Sequence, residues 1–288
     1  MAHSDFMKQQ DELREELNNL YLHVCQLDVQ ALKPGNISVY SNSKDLSVDD
    51  FLNSAKASAA PITDPKSTLG LRILNATSAT QAAVNTNTNL GMILLIAPII
   101  QSKLKILEGE DIREAITRVL EATTVQDAVE VYQAIRLVKP GGMGHQNTQD
   151  VSEEPNVSLL NTMNIAADWD LIAAQYSNSF KDIFSFGVPR YLGLMKKWED
   201  EKWATTGLFL SYLRHYTDSL IERKFGLLKA REISDMISDL EMELCRSDSP
   251  GRYEAQLLEI DRQLKRNLIN PGTSADLTAA SIFAAGLI

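Results

Sequence analysis

The chain is poor in cysteine, has no long apolar run and shows no strand rhythm. Two cysteines, Cys25 and Cys245, in 288 residues exclude a disulfide framework and any zinc site built on paired-cysteine spacing. Both fall inside helical patterns and read as buried thiols in a reducing cytoplasm. The longest apolar stretch, Leu90 to Ile100, contains Pro98 and falls well short of the about 20 residues of a membrane span. It reads as a buried core helix. Residues Met1 to Glu16 are polar and charged, which predicts no signal peptide. Positive charge is scarce as well: 28 Lys and Arg face 38 Asp and Glu, for a net charge of −10. A broad nucleic-acid footprint needs the opposite sign, although one local basic pocket is compatible with it. No segment alternates with a period of two, so no βαβ unit, and with it no Rossmann or phosphate-loop domain, is expected. Repeats of fixed period and low-complexity tracts are missing too.

Helical periodicity fills that space. Ile112, Ala115, Ile116, Val119 and Leu120 follow the i, i+3, i+4, i+7, i+8 pattern of an amphipathic helix. Thr124 with Asp127 three residues on is a capping-box signature ahead of a second such pattern, and Ser47 with Asp49 and Asp50 marks another start. Helices are predicted over Asp11 to Val29, Ser67 to Val84, Asn156 to Tyr176, Trp203 to Lys229, Glu232 to Arg246, Tyr253 to Leu268 and Ala275 to Leu287. The expected fold is all-α, one domain over residues 1–288 with about ten or more helices. Gly144 to Asn156 is the most polar stretch and reads equally as a lid or a surface loop.

Four short loops rich in Gly, Pro and Asn punctuate these helices: Lys33-Pro34-Gly35-Asn36, Asn85 to Gly91, Lys139 to Gly144, and Asn270 to Asp276. Each lies where a helical pattern stops or starts. A helix start offers unpaired backbone N–H groups and partial positive charge, which suit phosphate. If the four converge, they form a polyphosphate pocket.

Each loop also has a plainer reading. In the second, Asn and Thr alternate before Leu90-Gly91; they present amides to an anion or simply cap the buried helix. In the fourth, Thr273 is a candidate cap with Asp276 three residues later. Asp276 then serves the backbone alone, or it holds Mg²⁺ at the mouth of an apolar helix. The third carries three glycines and then His145, a candidate proton donor; a lone loop histidine is more often none. Lys33 beside a rigid turn is a candidate phosphate ligand, and Asp45 either caps the next helix or binds metal. Arg214, Asp218 and Glu222 recur every four residues, as on one helix face, either as surface ion pairs or with Asp218 and Arg223 facing a pocket.

Taken together, and in this order from about Leu32 to Phe283, these segments resemble the triphosphoribosyl-dephospho-CoA synthase family. The Lys-Pro-Gly-Asn turn, Thr-Asn-Thr-Asn-Leu-Gly, the Gly-rich loop, the Asp218 to Gly226 stretch and the terminal Gly-Thr-Ser-Ala-Asp-Leu all look like its motifs. Two departures mark a divergent branch. Ser41-Asn42-Ser43-Lys44 stands where those proteins carry Gly, Ala and His before the Asp, and the Gly-rich loop offers Met143 and His145 in place of their Arg and early Glu.

The resemblance implies an all-helical enzyme that transfers the triphosphoribosyl group of ATP to a hydroxyl of 3′-dephospho-CoA and releases adenine. It implies Mg²⁺, a cytoplasmic location, no nucleic-acid or membrane partner, and leaves room for a homo-oligomer. Under it, Asp45, Asp218 and His145 are the catalytic candidates, and Asp45, Asp218 and Asp276 the metal candidates. Lys33, Gly35, Asn36, Asn87, Thr88, Asn89, Gly91, Gly141, Gly142 and Arg223 form the nucleotide site. Two alternatives stay open: a ribosyl or phosphoribosyl transferase with another acceptor, or a non-catalytic nucleotide-binding protein. A metal-dependent phosphate-ester hydrolase is disfavoured, since no His-Asp doublet exists and the four histidines do not cluster along the chain.

Overall fold

A computed structural model describes residues 2–41, 46–140 and 149–288. Among them are fourteen α-helices and no strand. In chain order they are α1 (Ala2–Gln30), α2 (Val48–Ile62), α3 (Leu69–Val84), α4 (Leu90–Leu104), α5 (Ile112–Glu121), α6 (Val125–Val138), α7 (Leu159–Ala166), α8 (Leu171–Ser177), α9 (Val188–Trp198), α10 (Glu201–His215), α11 (Ser219–Phe225), α12 (Leu227–Arg246), α13 (Glu254–Arg266) and α14 (Gly272–Ala285). A π-helical turn, Ile183–Gly187, leads into α9, and a 3₁₀ turn, Pro250–Tyr253, leads into α13.

Three helices are buried on nearly every side and hold the rest together. Twelve of the fifteen residues of α4 are buried, as are eleven of fourteen in α14 and ten of fifteen in α10. Such all-round burial fits the weak amphipathicity of their sequences. Helix α14 packs against both α4 and α10, and α1 crosses it. Its small residues permit close approach, and two of its hydroxyls bond back into the helix: Thr278 Oγ1 donates to Ser274 O (2.7 Å) and Ser281 Oγ to Leu277 O (2.8 Å).

The long apolar run reads correctly as a core helix, and Pro98 does not end it. Proline lacks the N–H that would bond the carbonyl four residues back. That carbonyl, on Leu94, instead accepts the hydroxyl of buried Tyr176 at 2.7 Å. The substitution ties α8 to the centre of the molecule.

Two predicted helices are broken, and both breaks matter below. Asn156 to Tyr176 divides into α7 and α8 because Asp170 caps a new helix, accepting from the backbone N–H of Ile172 (2.8 Å) and Ala173 (3.0 Å). Trp203 to Lys229 divides into α10, α11 and the start of α12. Asp218 caps α11, and Gly226, at φ 86°, separates α11 from α12. Arg214 and Asp218 therefore do not share a helix face.

Candidate functional site

A cleft of about 940 Å³ opens between the starts of α4, α8, α11 and α14 and the end of α6. Three of the four loops read from the sequence line it, through Asn85, Thr86, Asn87 and Gly91, through Lys139 and Pro140, and through Asn270, Thr273 and Asp276. The first loop does not reach the cleft. It stands behind the fourth, where Asn36 Nδ2 donates to Asn270 Oδ1 at 2.8 Å and a Cβ on Gly35 would crowd Pro271 Cδ and Ile269 O. Gly35 needs its φ of 84° for that approach.

The fate of each candidate follows from its hydrogen bonds. Lys33 is fully buried, pairs with Asp28 and donates to Asn36 Oδ1 at 2.9 Å, so it is an internal counterion rather than a cleft cation. Asn89 lies in the core, accepting from Thr80 Oγ1 (3.0 Å), and Thr88 Oγ1 donates to Ser54 Oγ (2.6 Å). Of the second loop's side chains, Asn87 lines the cleft, its Oδ1 accepting from Leu90 N at 3.3 Å in the role of a cap. Asp45, Gly141, Gly142 and His145 lie outside the described residues.

Asp218 is placed behind the cleft wall. Its Oδ1 accepts from the N–H groups of Leu220 and Ile221 (both 3.0 Å), and its Oδ2 accepts from the N–H and the hydroxyl of Ser274 (both 2.8 Å). All four acceptor directions are filled, and the side chain is inaccessible to solvent. Burial pushes its carboxyl up while the bonds from Ser274, Ile221 and Leu220 pull it down. The arrangement fastens the start of α11 to the start of α14. It leaves Asp218 no free oxygen for a metal or a substrate proton.

Asp276 is the opposite case. Thr273 and Asp276 do not form the predicted capping box: α14 begins with Pro271 at its cap, and the first-turn N–H of Ser274 goes to Asp218 rather than to Thr273. Instead Thr273 and Ser219 share a hydroxyl hydrogen bond of 3.1 Å. The carboxylate of Asp276 accepts no hydrogen bond from any described residue. It lines the cleft and lies directly over Gly91, where an added Cβ would overlap its Oδ2. Desolvation raises its pKa well above the ordinary carboxylate value; Asp28, Asp218 and Asp170 raise it further, and Lys33 opposes them. The glycine predicted to admit a ligand's close approach thus first admits this carboxylate.

Cations stand across from it. Arg223 ion-pairs with Asp170, and its remaining donors have no described partner. Lys224 and Lys139 line the cleft without an ion-pair partner among the described residues. The start of α4 lines the cleft at Leu90 and Gly91; Asn89 makes no side-chain cap bond there, and Asn87 takes the N–H of Leu90, leaving the next first-turn N–H groups for an anion. Asp170 and Trp169 escaped the sequence reading because the α7–α8 break did, and Lys224 because the α10–α11 break did. The signal for the first was present in Asp170 ahead of Leu171-Ile172, an N-cap type residue before an apolar pair.

Comparison with known proteins identifies the family. The family model for ATP:dephospho-CoA triphosphoribosyl transferases (CitG) matches residues 14–288. The chain belongs to this family. Members of the CitG family are transferases, and the all-helical class expected from the motifs is the one observed. Among solved structures, a crystal structure of a proposed triphosphoribosyl-dephospho-CoA synthase from Archaeoglobus fulgidus is similar, with a TM-score of 0.63 and 26% identity over 81% of this chain and 97% of that one. No curated protein sequence matches. No described helix is long and apolar enough to cross a membrane.

Proposed function

We propose that this CitG-family chain catalyses ATP:dephospho-CoA triphosphoribosyl transfer in the cytoplasm, with the cleft as its active site. An acceptor hydroxyl attacks C1′ of the ATP ribose. The C1′–N bond to adenine breaks with its electron pair going to the adenine nitrogen, which takes up a proton from solvent, while the hydroxyl proton goes to a base. Positive charge builds on the ribose ring as the base departs, as in glycosidic chemistry. One observation carries the reading: a carboxylate with no hydrogen-bond donor among the described residues, Asp276, sits over Gly91 at the start of α4 and lines the same cleft as Arg223, Lys224 and Lys139.

Asp276 has the features of the general base. It is free to accept a proton, and its raised pKa increases its basicity. Arg223, Lys224 and the first turn of α4 supply the charge that a triphosphate requires. Asp170 positions Arg223 and anchors α8.

Magnesium enters with the substrate. Among the described residues no group of three or more His, Cys, Asp or Glu is placed to hold a metal ion. Asp218 is fully bonded, and Asp170 is occupied by its cap and its ion pair. This donor set suits an ion carried by the triphosphate, since Mg²⁺ commonly keeps several waters and takes few protein ligands.

The test is to incubate the protein with ATP, Mg²⁺ and dephospho-CoA and to follow free adenine by chromatography. Adenine released in step with a triphosphoribosylated acceptor supports the proposal. Adenine with a different acceptor alone reassigns the substrate, and phosphate without adenine refutes the transfer.

A further inference from the structure

The base end of the cleft has its own residue. Trp169 lies in the gap between α7 and α8, one position before Asp170. It lines the cleft and is 38% exposed. Among the described residues its ring contacts no other aromatic ring, and its indole N–H has no partner. By contrast, Trp198 donates its Nε1–H to Ser247 O at 2.9 Å and packs on the core. A tryptophan left open at a cleft wall forgoes a large apolar burial unless something else covers it. Met163 and Ile165 of α7 and Leu137 and Val138 of α6 continue the apolar wall. Arg223, Lys224 and Asp276 lie on other elements of the lining, α11 and α14, while Lys139 follows the α6 part of the wall.

We infer that Trp169 is a specificity-determining residue whose indole stacks on the adenine of ATP, the base that departs. The inference rests on the reading under Proposed function and goes beyond it by fixing which end of the cleft takes the purine. Asp170 joins the two ends. It follows Trp169 in the chain and holds Arg223, so aromatic wall and phosphate-binding cation are linked through one residue, as purine and triphosphate are linked through one ribose. The acceptor also carries an adenine, so the assay has to separate two sources of the same ring.

The experiment is calorimetric titration of the full chain and of Trp169→Leu and Trp169→Phe with Mg·ATP, Mg·tripolyphosphate and dephospho-CoA, each alone so that no turnover occurs. Stacking of a base on an aromatic side chain corresponds to roughly 5- to 150-fold in affinity. Trp169→Leu is expected to weaken ATP by a factor in that range and to leave tripolyphosphate unchanged. Trp169→Phe restores most of the ATP affinity but loses the quenching of tryptophan emission by ATP, because neither Trp198 nor Trp203 lines the cleft. Unchanged ATP binding in Trp169→Leu overturns the inference. So does an equal loss of ATP and tripolyphosphate, which makes Trp169 a support for the phosphate loops, and so does a loss confined to dephospho-CoA. In all three cases wild-type turnover still stands. A wild-type chain that binds neither ATP nor tripolyphosphate removes the functional proposal along with the inference.

Discussion

Replacing Asp276 by Asn separates catalysis from stability. The substitution is nearly isosteric, so the contact with Gly91 survives while the charge is lost. In the folded chain the carboxylate accepts no hydrogen bond and is surrounded by Asp28, Asp170 and Asp218, with Lys33 as the opposing charge. Asp276 is half-buried, and removing its charge from this desolvated, acid-lined position relieves a penalty of about 1–3 kcal/mol. At ~2 °C per kcal/mol for a chain of this length, Asp276→Asn should melt about 2–6 °C above the wild type at neutral pH. The sign follows from linkage. The folded pKa is raised, so between the unfolded value of about 3.9 and the folded value the native state holds more protons than the unfolded one. Wild-type stability therefore falls as pH rises through that window and levels off above it. The advantage of the Asn variant should shrink towards zero below about pH 4. Activity should move the other way: loss of a general base lowers kcat by about 10²- to 10⁴-fold. In the wild type, kcat/KM should rise with pH along a limb set above the ordinary carboxylate range. The assays are thermal melts at several pH values and adenine release. A variant that is less stable at pH 7, or that keeps wild-type turnover, refutes the assignment.

Gly91→Ala should displace the Asp276 carboxylate and crowd Ile172 Cδ1, lowering turnover at least ~100-fold for a stability loss of about 1–3 kcal/mol; adenine release with a melt in parallel checks it. Asp218→Ala removes a cap and leaves Ser274 unpaired in the interior, together about 2–4 kcal/mol, so its melting temperature should fall by roughly 4–8 °C. Unchanged stability with abolished turnover would instead move Asp218 into the chemistry. Arg223→Ala should raise KM for ATP about 10- to 100-fold, with Arg223→Lys intermediate, and equal effects on ATP and acceptor would argue against a triphosphate contact.

Much of the fold was written in the helix signals. Thr124 with Asp127 and Ser47 with Asp50 form the boxes their spacing announces, with 3.1 and 3.2 Å bonds to the N3 amides. The apolar run through Pro98 is the core helix it looks like, but its repair by Tyr176 joins residues 82 apart and no local pattern carries it. The site was legible only as loops. Which loop side chains face inward depends on long-range partners: Asn36 on Asn270, Thr88 on Ser54, Asp218 on Ser274. Lys33 illustrates the limit. A lysine beside a Pro-Gly turn has the composition of a phosphate ligand, yet Asp28, five residues earlier and on the other side of the end of α1, claims it. Asp170 shows the converse, a site residue concealed inside an apparently continuous helical pattern because the break is made by its own side chain.

Among the described residues, the partners of Asp28, Asp170 and Asp218 explain why Asp276 is left for chemistry. Asp28 has Lys33, Asp170 has Arg223 and the first turn of α8, and Asp218 has four donors from α11 and α14. Each of these partners fixes a backbone segment that borders the cleft: the first loop, α8, and the paired starts of α11 and α14. The bonds that satisfy three acids thereby leave the fourth in the cleft with no donor among the described residues. Asp276 cannot relax toward a partner because Gly91 of α4 lies against it on one side and the other acids repel it. A desolvated acid without a partner destabilises the fold, and the same condition raises its affinity for a proton. The destabilisation and the basicity are two readings of one free energy, so a substitution that recovers the first should abolish the second.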